Sequence, residues 1–268
     1  MVSTRSAQQG RQWVVLLGRI GAVCFGIVHL LVAWLAIQIA FGDSVGEADQ
    51  KGALAALAEQ PLGGVLLTVL AAGLAFFAIW QLLTAVGGYR WLSGRRQLTK
   101  RISAAAHGFA AAVLTVVAVQ LISGSGATQG DQSQQEITGW LMSLPYGQFL
   151  VGLLALIVLG VGVAAAVKGI RKTFTDELEL GKLPEGTQRL TVRLGQAGFV
   201  AKGAAYGVVG VLIGLAAVNH DPKQAGGLDA ALRTLAEAQY GPYLLTMVGL
   251  GVAAFGVYCF AEARCHRA

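Results

Sequence analysis

The sequence predicts an all-α integral membrane protein: six transmembrane helices forming three tandem, parallel helical-hairpin repeats around a pseudo-threefold axis. Composition, the length of the apolar runs and an internal repeat carry this reading. Hydrophobic residues make up 55% of the chain and charged residues 13%, and the mean hydropathy is +0.61. Soluble domains average about 25% charged residues, so much of this apolar surface has to face lipid. A bilayer core about 30 Å thick takes roughly 20 apolar residues of helix to cross. Residues 20–41, 62–86, 102–122, 149–167, 194–218 and 243–261 each meet that length. The runs are apolar on all sides and lack a period of two, which favours helices that satisfy their own backbone over barrel strands.

The repeat is visible residue by residue. The stretch 19–42 aligns without a gap on 101–124, a spacing of 82 residues (101 minus 19), and the third copy aligns Gly198 with Gly21 and Gly203 with Gly26, a spacing of 177 (203 minus 26). Gly26, Gly108 and Gly203 therefore share one position. The second run of each copy follows Pro61-Leu62-Gly63, Pro145-Tyr146-Gly147 or Gln239-Tyr240-Gly241. These registers divide the chain into an amino-terminal segment, 1–18, and repeats at 19–91, 101–174 and 193–264. Arg5 and Arg11 before an apolar run also fit a secretory signal, but the retained counterpart at 101–124 argues against cleavage.

Ahead of the second run, 53–59 matches 231–237, with Leu54 and Leu57 on one helical face. A short amphipathic helix at the membrane surface is expected there, with Asp49 and Asp229 as its amino-terminal caps. In the middle copy, 137–144 keeps the length without the charges.

Basic residues set the orientation, since loops rich in Lys and Arg stay cytoplasmic. Both termini and the loops after the second and fourth runs, together with the ends of their flanking runs, hold 17 of the 20 Lys and Arg; Lys51, Lys223 and Arg233 are the exceptions. Both termini are thus expected in the cytoplasm of a bacterium, with the chain multi-pass in its inner membrane. The net charge of +6 reads as a rim against anionic lipid and not as nucleic-acid binding. Two runs per copy keep all three copies the same way up, which excludes the inverted repeats of many transporters.

Within the runs, Gly203, Gly207, Gly210 and Gly214 form a smooth stripe, and with Gly26 and Gly108 they are read as close helix-packing positions. Ionisable groups inside a bilayer cost roughly 2.5 to 3.5 kcal/mol each on insertion scales, so the few present are the candidate functional positions. His29 lies near the midplane, with Ala111 and Tyr206 as its equivalents and Tyr206 as an expected hydrogen-bond partner. Phe25, His107 and Lys202 share another position. If it faces the axis, His107 and Lys202 line a vestibule that attracts anions. If it faces lipid, the expected arrangement, Lys202 snorkels to the headgroups or pairs with Glu262.

Phosphate loops, zinc helices and nucleophile elbows are missing, and the glycine pairs Gly160/Gly162 and Gly249/Gly251 follow no strand. No catalytic residue, cofactor or metal is expected. A site of Cys259, Cys265 and His266 lacks a recognised spacing, and His29 and His107 are not level enough to hold a haem. The charged loop 173–193, with Asp176, Glu177 and Glu179, is expected to be a solvated face.

The triplicated hairpin, the glycine in each first helix and the Leu-Gly or Tyr-Gly lead into each second helix resemble the uncharacterised membrane family called domain of unknown function 1206. The resemblance covers residues 19 to about 264 and departs at Ser103, where the other copies have Gly21 and Gly198. It implies a six-span bacterial membrane protein and brings no assigned activity. Two roles are then open: a non-catalytic accessory protein packing other membrane subunits in the lipid bilayer, the favoured reading, and a small-solute or ion conduit along the pseudo-threefold axis.

Overall fold

The computed structural model describes residues 2–42, 46–90, 93–124 and 130–265; side chains are described from Leu16 onward, apart from 130, 131 and 182. Long helices α1 (Val2–Ala40), α3 (Gly63–Gly87), α4 (Gly94–Ile122), α6 (Gly147–Ile170), α7 (Glu185–Asn219) and α9 (Gly241–Cys265) alternate with short surface helices α2 (Gln50–Ala58), α5 (Gly130–Ser143) and α8 (Leu228–Ala236). The six long helices are apolar enough to cross a membrane, and the chain is a multi-pass membrane protein. Their ends run past the apolar limits read from sequence, since α4 and α7 begin in basic segments that remain helical outside the apolar zone.

Each second helix starts on its shared glycine for a steric reason. A Cβ on Gly63, Gly147 or Gly241 would strike the last turn of the preceding surface helix, at the carbonyls of Ala58, Leu141 and Ala236. The glycine N–H instead closes the turn, donating to Gln60 at 2.7 Å, Leu144 at 2.9 Å and Ala238 at 2.7 Å.

The surface helices close the end opposite the basic one. Asp49 caps α2, accepting the Gly52 N–H at 2.7 Å. Asp229 does not cap α8, whose cap is Gly227. The register explains the difference: Ala53 aligns with Ala231, so Asp49 aligns with Gly227 and Asp229 with Lys51. Buried Asp229 instead accepts the Ala48 N–H and the Arg233 Nε–H, both at 2.7 Å, tying repeat 3 to repeat 1. Lys51 donates to Ser133 at 3.0 Å, and Gln135 to the Lys223 carbonyl at 3.4 Å, so all three repeats are linked at this end.

Inside the membrane zone the helices pack in the order α4, α3, α1, α9, α7, α6. Three seams join different repeats, and all use equivalent residues. A Cβ on Gly26 would lie 2.7 Å from the Gly256 carbonyl, one on Gly108 would lie 3.2 Å from that of Ala78, and one on Gly203 would lie 2.7 Å from that of Gly162. Ala78, Gly162 and Gly256 are themselves one position, 15 residues into helices that begin at 63, 147 and 241. Three like seams require three modules with the same orientation, as the repeat predicts.

The seams within hairpins are unequal. In repeat 1, Gly18 faces the Trp80 ring and Gly21 the Phe77 backbone; in repeat 3, Gly195 faces the Phe174 ring and then that of Tyr258, and Gly198 the Phe255 backbone. Repeat 2 has Lys100 and Ser103 at the glycine positions and Val161 and Ala164 at the aromatic ones. Both halves of the joint are gone, and α4 and α6 do not pack against each other. The pseudo-threefold ring is therefore open along one of its six seams.

Of the glycine stripe, a Cβ on Gly210 would lie 2.7 Å from Leu159, whereas one on Gly214 would find an ordinary 3.7 Å neighbour in Ala155 and one on Gly207 would meet nothing within 4 Å. The Gly207 backbone lies beside α6, its N 3.0 Å from where a Cβ on Gly162 would stand, but its own Cβ direction points into open space. We expect Gly26→Ala and Gly203→Ala to lose about 1 to 3 kcal/mol by overpacking, and Gly207→Ala to be neutral, in reversible unfolding of the purified protein in mixed micelles.

Candidate functional site

The rings that make the hairpin joints meet at the centre of the bundle. Phe25 stacks on Phe77 at 4.8 Å between centroids and meets the His29 ring edge-on at 4.4 Å, and His29 lies 4.9 Å from Phe255. Phe255 continues into Phe199, at 5.3 Å, and Tyr258. Phe174, from the α6–α7 connection, closes this cluster at the basic end, 5.3 Å from Phe199 and 5.4 Å from Tyr258.

His29 is 2% exposed. Its Nδ1 lies 2.9 Å from the Phe25 carbonyl, one turn earlier, and only a protonated Nδ1 can donate there. The tautomer this fixes leaves Nε2 as an acceptor, and the Lys202 ammonium approaches it to 3.5 Å. Lys202 also sits over the faces of Phe255, at 3.9 Å, and Phe25, at 5.7 Å. Desolvated cation–π contacts contribute about 2 kcal/mol or more, comparable to the roughly 2.5 to 3.5 kcal/mol cost of a lysine within a bilayer. The aromatic box thus offsets much of that cost without a carboxylate.

This arrangement corrects the sequence reading of three residues. Lys202 does not snorkel to the headgroups, because His29, one helical turn deeper in the repeat register, and the ring faces hold its ammonium inside the bundle. Nor does it form the ion pair with Glu262; its polar contact is His29. Tyr206 does not hydrogen-bond His29, whose two nitrogens face Phe25 and Lys202; it lines a cavity of about 20 Å³ beside them. Gln50 and Leu228, from α2 and α8, line the same cavity, which has room for about one water molecule.

His107 repeats the His29 geometry, its Nδ1 donating to the Ser103 carbonyl at 2.7 Å. It lies half-buried on α4, within electrostatic range of Lys202, His29 and Lys168. Phe25 and Lys202 do meet in the bundle interior, as one of the two sequence readings required, while His107 comes only within electrostatic range of Lys202.

At the basic end the loop 173–193 is a solvated face only in part: Asp176 and 184–187 are exposed, whereas its first stretch folds onto the protein. Phe174 is wholly buried, the Glu179 N–H donates to the Cys265 carbonyl at 2.8 Å, and Glu177 is half-buried between Lys100 of α4 and Lys168 of α6. Both ammoniums address the same oxygen, Oε1, with Lys168 at 3.4 Å. Burial, then the Glu177 and Glu262 carboxylates, hold the nearby Tyr89 phenol above its ordinary range, so it stays protonated. Sequence reasoning missed Glu177; the signal was the apolar spacing of Phe174, Leu178 and Leu183, which marks a loop folded onto the protein. Among the described residues no three His, Cys, Asp or Glu side chains converge as metal ligands; His266 of the weighed Cys259, Cys265, His266 set lies outside the described residues.

The three-copy pattern decides the family. The model of the family described as Domain of Unknown Function (DUF1206) matches three times, at 20–88, 102–172 and 197–266. The chain belongs to this family. Each match holds one long-helix hairpin: α1 with α3, α4 with α6, and α7 with α9. An uncharacterized protein, YxxB, of Bacillus subtilis (strain 168) is 31% identical over 259 residues, covering 95% of this chain and 92% of its own length. No solved structure matches.

The Lys202–His29 contact gives a test. His29→Leu strands an ammonium without its acceptor, and we expect a loss of about 1 to 3 kcal/mol. Adding Lys202→Met should restore much of it, because the unmatched charge goes too. Strictly additive losses in a double-mutant cycle would show the pair uncoupled.

Proposed function

We propose that this member of the family is a non-catalytic accessory protein of the bacterial plasma membrane that packs with another membrane subunit, with both termini cytoplasmic. One observation carries the reading: the bundle is filled and covered at both ends, yet one of its six seams is left open to the membrane. The glycines read from sequence as close helix-packing positions are largely used within the chain, as at the Gly26, Gly108 and Gly203 seams. The free face is the α4/α6 flank. Basic residues concentrated at one end favour that end as cytoplasmic, and the same charge serves lipid contact without any nucleic-acid partner.

On α4 the open face runs through Lys100, Ser103, His107 and exposed Ala110; on α6 it runs through exposed Ile157, Val161, Ala164 and Lys168. Photo-crosslinkers at Ala110 and Ile157 should give the same discrete heteromeric adduct in cells. Probes at Phe109 and Val163, turned about 100° or more around each helix, should not. Adducts of equal yield from all four positions, or from none, would remove the accessory reading.

A conduit along the axis is the second reading, favoured by the cavity that touches both His29 and Lys202. Against it, Phe25, Phe77, Phe255, Tyr258 and Phe174 fill the path toward the basic end. We expect liposomes containing the protein to match protein-free vesicles in proton and small-anion flux. Flux above that background, abolished by His29→Ala and Lys202→Ala, would reverse the preference.

A further inference from the structure

The opened seam is changed chemically as well as emptied. Where the closed hairpins set glycine against Trp80, Phe77, Tyr258 and Phe255, the middle one sets Lys100 and Ser103 against Val161 and Ala164. Small side chains and the lack of packing between α4 and α6 make the seam a furrow in our reading, and cations stand at its basic end. Lys100 and Lys168 reach in from opposite walls and are 22% and 26% exposed. They share a single carboxylate oxygen of Glu177, so two positive charges meet one negative charge. His107 lies one to two helical turns further in on α4, its Nδ1–H donating to the Ser103 carbonyl.

We propose that this seam binds a phospholipid with an anionic headgroup from the leaflet at the basic end. Its phosphate lies between Lys100 and Lys168, and an acyl chain lies along Ser103, Val161 and Ala164. Charge selects the headgroup: two lysines on facing helices at the level where apolar helix meets headgroups offer a phosphate opposed ammonium donors. Position selects a lipid over a soluble anion, because the apolar walls continue from the cations into the membrane, and bilayer lipid is the solvent that fills such a furrow. Glu177 sets the affinity. It neutralises one of the two charges when the furrow is vacant and competes with the phosphate when it is not. The lipid would take the part of the open face nearest the basic end, which it shares with the accessory reading, and because its test uses the purified chain alone the two readings fail separately.

The test uses the full chain, purified in detergent, delipidated and offered phosphatidylglycerol, phosphatidylcholine or glycerol phosphate, with bound lipid counted by native mass spectrometry. We expect phosphatidylglycerol to be retained about tenfold better than phosphatidylcholine, and the double variant Lys100→Gln/Lys168→Gln to lose that preference. Lys223→Gln, at the opposite end, should keep it. Glu177→Gln is the variant that separates a lipid site from a structural clasp. Freed of their carboxylate, the two lysines should hold phosphatidylglycerol several-fold more tightly, whereas a clasp that only braces the helices predicts weaker retention or none. Equal retention of the two lipids by the wild-type chain would overturn the proposal. So would displacement of bound lipid by glycerol phosphate at equal concentration, or retention in Glu177→Gln no better than wild type.

Discussion

Close approach of helix backbones at glycine is the constraint on which the rest of this structure depends. Inside a bilayer, lipid tails are as apolar as leucine, so helices gain little from burying apolar surface against each other. They are held by van der Waals contact, which small residues deepen. Gly26, Gly108 and Gly203 meet Gly256, Ala78 and Gly162 on neighbouring repeats, so one contact used three times fixes how the modules sit side by side. Anything larger than the existing side chain has to force two backbones apart.

The same constraint builds the centre of the bundle. A glycine on one helix of a hairpin lets the backbone of an aromatic residue on the other come close, and the ring that residue carries is then turned to the interior. Phe255 rests on Gly198 and presents its face to Lys202; Phe77 rests on Gly21 and stacks on Phe25, which faces Lys202 in turn. The aromatic box around the buried ammonium is thus a product of hairpin packing. The lysine that sequence reasoning sent toward the headgroups stays inside because the packing offers it two π faces and an imidazole.

The helices, their number, the repeat and the shared glycine were legible because each rests on a local pattern: run length, a fixed spacing, a residue without a side chain. Ser103 was legible as a departure, but its consequence was not, because the other half of the joint, Val161 and Ala164, lies on a different helix in a separate register. Asp229 was misread for a related reason. It resembles Asp49 in composition and stands two residues away from it in alignment, and a cap depends on position more than residue type. The roles of Lys202 and Glu177 depend on which element faces them across the bundle. The apolar spacing of Phe174, Leu178 and Leu183 marks a loop folded onto the protein, but nothing near either residue names the partner it meets.

The middle repeat shows why such a departure has to be made at both ends of a contact. Restoring glycine at 103 alone would bring no ring to the interior, since position 161 is valine, and restoring phenylalanine at 161 alone would leave the Ser103 side chain holding the two backbones apart. Lys100 makes closure harder still. Brought into the place of Gly18 or Gly195, its ammonium would be pressed against α6 with Lys168 nearby, two like charges in a medium that screens them poorly. Glu177 resolves that repulsion from a third element, the α6–α7 connection, and can do so only while the helices stand far enough apart to admit its carboxylate. Open furrow, facing lysines and bridging acid are therefore one arrangement. Two repeats keep the glycine–aromatic joint that closes a hairpin, and the third has exchanged it for charge.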